Sequence, residues 1–234
     1  ARPALRLRST PRSSGYRVER SPPTVAQHVY STGSDSSPEP VLFYERTEWL
    51  ARHQIPAKPM LMKVGILIFP GSNCDRDAEV AVRTVMGTEP IRIWHKDTTL
   101  PQGLDLIIVP GGFSFGDYLR CGAMAGNSAI ISELKTFAER GGYVMGICNG
   151  FQILTETRLL PGALLRNAAL NFVCSNAELE VASADSAYTS NYAKGSRITI
   201  PIAHHDGNYF ADDETLNRLE GDDRVAFRYA DNPN

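Results

Sequence analysis

Short, mostly apolar runs alternate with helical patterns along the chain from residue 63 onward. Such runs, with few polar residues on either face, are typical of buried parallel strands. They lie at 63–69, 91–94, 104–109 and 143–147. Between them, apolar residues recur every three or four positions over 75–86 and 129–139, and both stretches stop at glycine. The pattern predicts an α/β fold with a mostly parallel sheet and helices on both faces.

The pattern changes beyond residue 170, where apolar and polar residues alternate more regularly. The stretches 178–183 and 196–203 show this two-residue period, which is typical of strands with one exposed face. We therefore expect a more antiparallel continuation after the parallel sheet.

The first sixty residues have a different composition from the rest. They carry nine Lys or Arg against five Asp or Glu and eight of the fifteen prolines, and the first forty contain no Phe, Ile, Met, Trp or Cys. Such a segment cannot bury enough apolar surface to offset the entropy lost on ordering. We expect residues 1–60 to be a disordered, non-domain extension with one short helical pattern at 41–53, and 61–234 to form the domain. An organellar transit peptide is the alternative, because the segment is rich in Arg and Ser.

The composition as a whole is that of a globular protein, since 42% of the 234 residues are apolar and 21% are charged. A net charge of −2 argues against a binder of nucleic acid or of an anionic membrane. No apolar run approaches the roughly 20 residues of a membrane-spanning helix. Four cysteines without C-x-x-C spacing favour a reducing, cytoplasmic setting. No His, Cys or carboxylate cluster has the spacing of a metal site.

Residues 146–150 read G-x-C-x-G, between the fourth predicted strand and a predicted helix over 148–157. This is the pattern of a nucleophile elbow with a thiol in place of the hydroxyl. The turn needs small neighbours, and it places Cys148 at the amino end of the helix, which favours the thiolate and lowers its pKa. The amide of Asn149 points to where an attacked carbonyl gathers negative charge. The alternative is a buried structural cysteine between packing glycines.

A second glycine-rich segment, 110–117, follows the third predicted strand. In a parallel sheet, this loop and the elbow share the carboxyl edge, where α/β proteins bind ligands. The amides of Gly112 and Phe113 are candidates for a second oxyanion donor. A phosphate cradle and an ordinary turn are the alternatives, although neither G-x-x-x-x-G-K-[ST] nor G-x-G-x-x-G is present. The segment 70–74, which includes Asn73, is expected at the edge of the same site.

A thiol nucleophile needs a base close to it. The histidines outside the extension are His95, His204 and His205. The residues alone favour His204, which follows a predicted strand in a loop that can border the site. The remaining cysteines are expected to be structural: Cys74, Cys121 and Cys174.

Five motifs occur in order, namely FPGSNCDRD, VPGGFSFGDYLRCGA, GICNGFQIL, LLPGALLRN and IPIAHHDGNYF. From about Met62 to the last residue, the chain resembles the glutamine amidotransferase subunits of phosphoribosylformylglycinamidine synthase, a branch of the class I glutamine amidotransferases. The third motif alone indicates only the wider class, and the first two indicate this branch. The resemblance implies a flavodoxin-like domain that supplies ammonia to purine biosynthesis.

The resemblance also implies the chemistry and the partners. Cys148 would attack the side-chain carboxamide of L-glutamine, amides near Gly112 and at Asn149 would stabilise the oxyanion, and Gln152 would hydrogen-bond the substrate. The ammonia would pass to a large synthetase subunit, which uses ATP and magnesium to convert formylglycinamide ribonucleotide to formylglycinamidine ribonucleotide. A small bridging subunit is the other expected partner, and no cofactor is expected in this chain.

Two departures from the family pattern bear on activity. The family usually reads A-H-G-E-G where this chain reads A-H-H-D-G at 203–207. In class I enzymes the base and its carboxylate come from a distal H-P-E motif, and the sequence contains none. His204 is a poor substitute, because the family keeps it alongside the true base. We therefore expect a domain truncated at its carboxyl end, and the alternatives are a cysteine hydrolase or peptidase on a similar scaffold and a non-catalytic docking subunit.

The sequence predicts that purified 62–234 hydrolyses glutamine negligibly, because the nucleophile lacks its base. Glutamine-dependent ammonia release measures this directly. Since a general base typically contributes about 10²–10⁴ in rate, turnover at about a hundredth of a full-length subunit's rate would refute the prediction.

Overall fold

A four-stranded parallel sheet forms the centre of the computed structural model, which describes residues 62–233. Its strands are β1 (Val64–Ile68), β2 (Ile91–Trp94), β3 (Leu106–Val109) and β4 (Tyr143–Gly146). Their spatial order is β2-β1-β3-β4, and every neighbouring pair is parallel. This is the order of flavodoxin-like folds, so the predicted fold class is confirmed. The extension predicted over 1–60, with its helical pattern at 41–53, lies outside the described residues.

The two central strands, β1 and β3, are apolar at successive positions because both faces of the sheet are covered. In β1, Val64 and Ile66 belong to one core cluster and Leu67 belongs to the other. In β3, Ile107 and Ile108 divide between the clusters in the same way. Successive side chains of a strand point to opposite faces, so two buried faces require an unbroken apolar run.

Helices cover both faces, as the alternating pattern predicts. The helix α1 (Asp75–Ala81) continues as a π-helical segment (Val82–Met86) and packs on one face. It ends at Gly87, whose φ of 65° suits glycine. The helices α2 (Ile130–Glu139) and α3 (Asn149–Glu156) pack on the other face. No helix within the described part of the chain has the length and apolar character needed to cross a membrane.

An antiparallel region follows the parallel sheet, which confirms the second expectation about the fold. Strand β6 (Val173–Val181) lies between β7 (Arg197–His204) and β9 (Phe227–Tyr229). Strand β5 (Ala163–Leu165) pairs with β8 (Asn208–Phe210), and α4 (Asp213–Gly221) follows β8. The register of β6 and β7 brings His204, at the end of β7, opposite the start of β6.

Three loops meet at the carboxyl edge of the parallel sheet, where they follow β1, β3 and β4. Ser72, after β1, forms an isolated bridge with Gly112, after β3. The Ile147 amide, after β4, donates to the Val109 carbonyl oxygen at 2.9 Å. The fold therefore brings together the glycine-rich segments that the sequence singled out.

Gly150→Ala is expected to lower the free energy of unfolding by about 3 kcal/mol or more. A Cβ at Gly150 would lie 1.9 Å from the Val109 carbonyl oxygen, so α3 would have to move away from β3. Gly221→Ala is the matched control, because a Cβ there meets nothing within 4 Å. The control should be neutral or stabilising by up to about 1 kcal/mol. Urea titration compares the variants, and equal stability would contradict the close packing of α3 on β3.

Candidate active site

Cys148 stands on the sharp junction between β4 and α3. Its backbone has φ 51° and ψ −109°, a conformation that residues with a side chain rarely adopt. The flanking glycines are required by packing, since a Cβ at Gly146 would lie 2.6 Å from the Leu154 side chain and one at Gly150 would overlap β3. The turn that the G-x-C-x-G motif predicts is present.

Two backbone amides point at the Cys148 sulfur. The amides of Asn149 and Gly112 lie beside Sγ, and both lower the pKa of Cys148 and so favour the thiolate. Gly112 reaches this position with a φ of 138°, and a Cβ there would lie 2.4 Å from the Asn73 amide nitrogen. The loop after β1 thus packs directly against Gly112, the glycine that lies beside the thiol.

Phe113 does not share this arrangement. Its amide donates to the Gly71 carbonyl oxygen at 2.9 Å, so the bridge between the two loops already uses it. A role for the Phe113 amide as an oxyanion donor would require this bond to break, and that role stays a prediction. Asn73 is exposed, and its amide donates to the Gly111 carbonyl oxygen at 3.2 Å. Asn73 thus lies beside the site, in the loop that supports Gly112.

Burial raises the pKa of Cys148 and is the largest influence on it. The amides of Asn149 and Gly112 lower this pKa, whereas the nearby Cys74 and Asp117 raise it further. The sequence predicts a lowered pKa from the helix amino end, and the structure reverses that prediction because the sulfur lies beneath the surrounding loops. The free thiol is therefore mostly protonated at neutral pH.

The buried Asn149 side chain connects the elbow to the loop after β3. Its Oδ1 accepts from the Ser114 amide at 3.0 Å. Its Nδ2 donates to Asp117 Oδ1 at 3.1 Å and to Gln152 Oε1 at 2.8 Å. Sequence reasoning selected Asn149 for its backbone amide alone, because the partners of its side chain lie on another loop.

Gln152 lies one turn along α3 from the thiol and lines the same cavity. Its Oε1 accepts from Asn149, and its Nε2 donates to the Asp206 carbonyl oxygen at 3.1 Å. Each polar end of the Gln152 side chain thus makes one hydrogen bond within the protein. A carboxamide can form further hydrogen bonds at each end, so the bond to substrate that the resemblance implies stays a prediction. Gln152 also ties α3 to the loop after β7.

Asn167, which the sequence reasoning missed, holds His204. Its fully buried Nδ2 donates to the carbonyl oxygens of Asn171 and His204 at 2.8 and 2.9 Å. Its Oδ1 must therefore be the acceptor, and it lies 2.9 Å from both His204 Nδ1 and the Gly207 amide nitrogen. His204 Nδ1 thus carries a proton, and burial lowers the pKa of His204, so the ring is neutral near pH 7. Asn167 closes the LLPGALLRN motif, which was the signal that could have found it.

The other cysteines have different surroundings. Cys121 Sγ donates to Asp206 Oδ2 at 3.1 Å, and burial raises its pKa well above the usual range. Cys74 is half-buried beside Gly111, and burial raises its pKa too. Both fit the predicted structural role. Cys174 is exposed on β6, so no packing supports a structural role for it.

The cavity above Cys148 is small, with a volume of about 30 Å³. Among the residues that line it are Cys148, Gln152, His204, Asp206 and Tyr229. This volume is about that of one water molecule. A larger cavity of about 630 Å³ lies at the opposite, amino edge of the sheet, beside the start of β4.

Within residues 62–233, no three His, Cys, Asp or Glu side chains are placed to hold a metal ion. The absence of a metal and of a cofactor in this chain stays a prediction.

The family model of the CobB/CobQ-like glutamine amidotransferase domain matches residues 61–234. The phosphoribosylformylglycinamidine synthase subunit PurQ of Roseobacter denitrificans is 62% identical over 173 residues, which cover 74% of this chain and 78% of the relative. The subunit PurQ of Cereibacter sphaeroides is 63% identical with the same coverage, 74% and 78%. This chain belongs to the PurQ family of glutamine amidotransferases.

A solved structure supports the PurQ assignment. One chain of the structure of PurLQS from Thermotoga maritima matches with a TM-score of 0.67 and 43% identity, covering 75% of this chain and 77% of that chain. The resemblance stated from the motifs is thereby confirmed, as is membership of an enzyme family. These relatives give no support to the alternative of a cysteine peptidase.

The raised pKa of Cys148 predicts the pH profile of its alkylation. Because the thiolate is the reacting form, the rate should keep rising with pH beyond 9.0, the pKa of an unperturbed thiol here. Timed iodoacetamide reactions followed by mass spectrometry of the Cys148 peptide measure the profile, and a free peptide of the same sequence is the control. A plateau for Cys148 at a lower pH than for the peptide would show that the two amides outweigh burial.

Proposed function

We propose that this chain is the glutaminase subunit of a phosphoribosylformylglycinamidine synthase and that Cys148 is its nucleophile. The observation that carries the proposal is the convergence of the Gly112 and Asn149 amides on the Cys148 sulfur. Donors placed in this way would also face the oxygen of a carbonyl that the sulfur attacks. The PurQ relatives support the reaction, and the geometry supports the choice of residues.

The reaction proceeds through a thioester. The thiolate of Cys148 attacks the carboxamide carbon of L-glutamine, and the carbonyl oxygen becomes negative beneath the two amides. The C–N bond then breaks, and the nitrogen takes up a proton and leaves as ammonia. Water hydrolyses the remaining glutamyl thioester to glutamate and restores the thiol. Losing one such oxyanion donor typically costs about 10²–10³ in rate.

Removal of the thiol proton is part of the first step, because the pKa of Cys148 is raised. In the part of the chain that the structure describes, His204 is the histidine that lines the cavity, and its Nδ1 is bound to Asn167. The family pattern places the base in a distal H-P-E motif, which the 234-residue sequence does not contain. We therefore expect these residues to supply the nucleophile of the reaction and not its base. We therefore propose that His204 forms part of the cavity wall and does not take the proton from Cys148.

The ammonia passes, in this proposal, to a large synthetase subunit of PurL type. The similar structure from Thermotoga maritima is that of PurLQS, which supports an assembly with this partner and with a small bridging subunit of PurS type. The synthetase subunit would use ATP and magnesium to convert formylglycinamide ribonucleotide to formylglycinamidine ribonucleotide. This chain is assigned no cofactor of its own and works in the cytoplasm.

A diazo-ketone analogue of glutamine is expected to label Cys148 at least about tenfold faster than any other cysteine, because binding holds the reactive carbon against the sulfur. L-Glutamine should slow this labelling, and D-glutamine should not. Exposed Cys174 is the internal control, because it lies outside the cavity lining. Mass spectrometry of tryptic peptides locates the label. Label on Cys121 or Cys74, or equal protection by both enantiomers, would count against the assignment.

A further inference from the structure

Asp206 is the acidic residue in the lining of the Cys148 cavity. The described residues that line the cavity with it include Cys148, Gln152, His204 and Tyr229, and none of them is Lys or Arg. The Asp206 side chain is 22% exposed, so its carboxylate is largely withdrawn from water. A carboxylate in such a place needs hydrogen bonds or a positive charge beside it. The partners of Asp206 therefore bear on what the cavity can bind.

One carboxylate oxygen of Asp206 has a weak hydrogen-bond donor. Cys121 Sγ donates to Oδ2 at 3.1 Å. Burial, followed by the hydrogen bond to Asp206 and the charge of Asp117, raises the pKa of Cys121, so the thiol keeps its proton. A thiol is a weak donor, and this bond compensates little of the negative charge of Asp206.

The contacts of the other carboxylate oxygen, Oδ1, to nearby nitrogen atoms are long. Arg166 Nε and His205 Nδ1 each lie 3.9 Å from Oδ1, beyond hydrogen-bond distance. Arg166 Nη1 lies 3.2 Å from His205 Nδ1, and because a guanidinium only donates, Nδ1 accepts this bond and carries no proton. Neither side chain therefore donates to Asp206 Oδ1.

Asp117, the other carboxylate beside Cys121, is placed differently. Its Oδ1 accepts from the Asn149 side chain at 3.1 Å, and Asp117 is not in the cavity lining. Burial raises the pKa of Asp117, which favours its protonated form. Asp206 is therefore the carboxylate that a ligand in the cavity meets.

We propose that Asp206 binds the α-ammonium group of glutamine and so selects substrates that are α-amino acids. The inference rests on the proposed function, which places the carboxamide at Cys148. Glutamine carries its ammonium at the other end of a short chain, and Cys148 and Asp206 line one small cavity. An ammonium gives the carboxylate the strong, charge-assisted hydrogen bonds that the Cys121 thiol does not supply.

The residue beside Asp206 matches the second charge of an amino acid. The Arg166 side chain is 66% exposed, and its guanidinium lies 3.9 Å from the Asp206 carboxylate. An α-amino acid bears a carboxylate next to its ammonium, so neighbouring Asp and Arg side chains present the complementary pair of charges. A simple amine would meet only half of this arrangement. The geometry therefore favours an amino acid.

The test combines two variants with two probes in the full 234-residue chain. The amino probe is the diazo-ketone analogue of glutamine, and the desamino probe is the same molecule with hydrogen in place of the α-amino group. Asp206→Asn removes the charge and keeps an oxygen that can accept from Cys121. Asp222→Asn is the matched control, because Asp222 also lies near an arginine, 3.7 Å from Arg224, and is outside the cavity lining. Mass spectrometry of the Cys148 peptide gives the rate constant of labelling in each case.

Asp206→Asn should slow labelling by the amino probe at least about tenfold and change labelling by the desamino probe less than about twofold, because only the first probe loses a bond between charged groups. Asp222→Asn should leave both rates unchanged. Equal slowing of both probes by Asp206→Asn would trace the effect to a disturbed cavity and would overturn the assignment. An unchanged rate with the amino probe would overturn it as well.

The unsubstituted chain separates this inference from the proposed function. The amino probe should label Cys148 at least about tenfold faster than the desamino probe does. If both probes label Cys148 equally fast and much faster than the exposed Cys174, the nucleophile stands and recognition of the ammonium by Asp206 fails. If neither probe prefers Cys148 to Cys174, the proposed function fails together with this inference.

Discussion

The close approach of α3 to β3 is the contact on which the rest of the site depends. Gly150 lies so near the Val109 carbonyl oxygen that any side chain would overlap it, at 1.9 Å for a Cβ. This approach lets the chain pass from β4 into α3 through a single strained residue, Cys148. The sulfur then faces the loop after β3, where Gly112 meets it. A longer separation between α3 and β3 would part the thiol from one of its two amides.

Neutral side-chain amides fix the loops around this junction. Asn149 joins the elbow to the loop after β3, Gln152 joins α3 to the loop after β7, and Asn167 holds the end of β7. An amide offers donors and acceptors together, so each of these residues satisfies partners of both kinds while buried. None of them adds a charge beside the thiol. The carboxylate of Asp117, which accepts from Asn149, contributes to raising the pKa of Cys148.

Burial has two opposed consequences for the thiol. It raises the pKa of Cys148, so the resting group is protonated and resists both reaction and oxidation. The same low-dielectric surroundings strengthen the hydrogen bonds from the two amides once negative charge develops. The site therefore favours negative charge at one point, beneath Gly112 and Asn149, and disfavours it elsewhere. Such a site suits a reaction that proceeds only when substrate is in place.

The sequence by itself determined the parallel sheet, its covering helices and the elbow, because apolar runs, helical periods and glycine spacing are local signals. Only the tertiary structure decided which polar groups around the site are already hydrogen-bonded to other parts of the protein. The Phe113 amide bonds to another loop, both ends of Gln152 bond to protein groups, and Asn167 holds His204 across 37 residues of chain. The direction of the Cys148 pKa shift was likewise decided by the tertiary structure. The helix end that favours the thiolate is adjacent in sequence, whereas the burial that outweighs it comes from loops far apart in the chain.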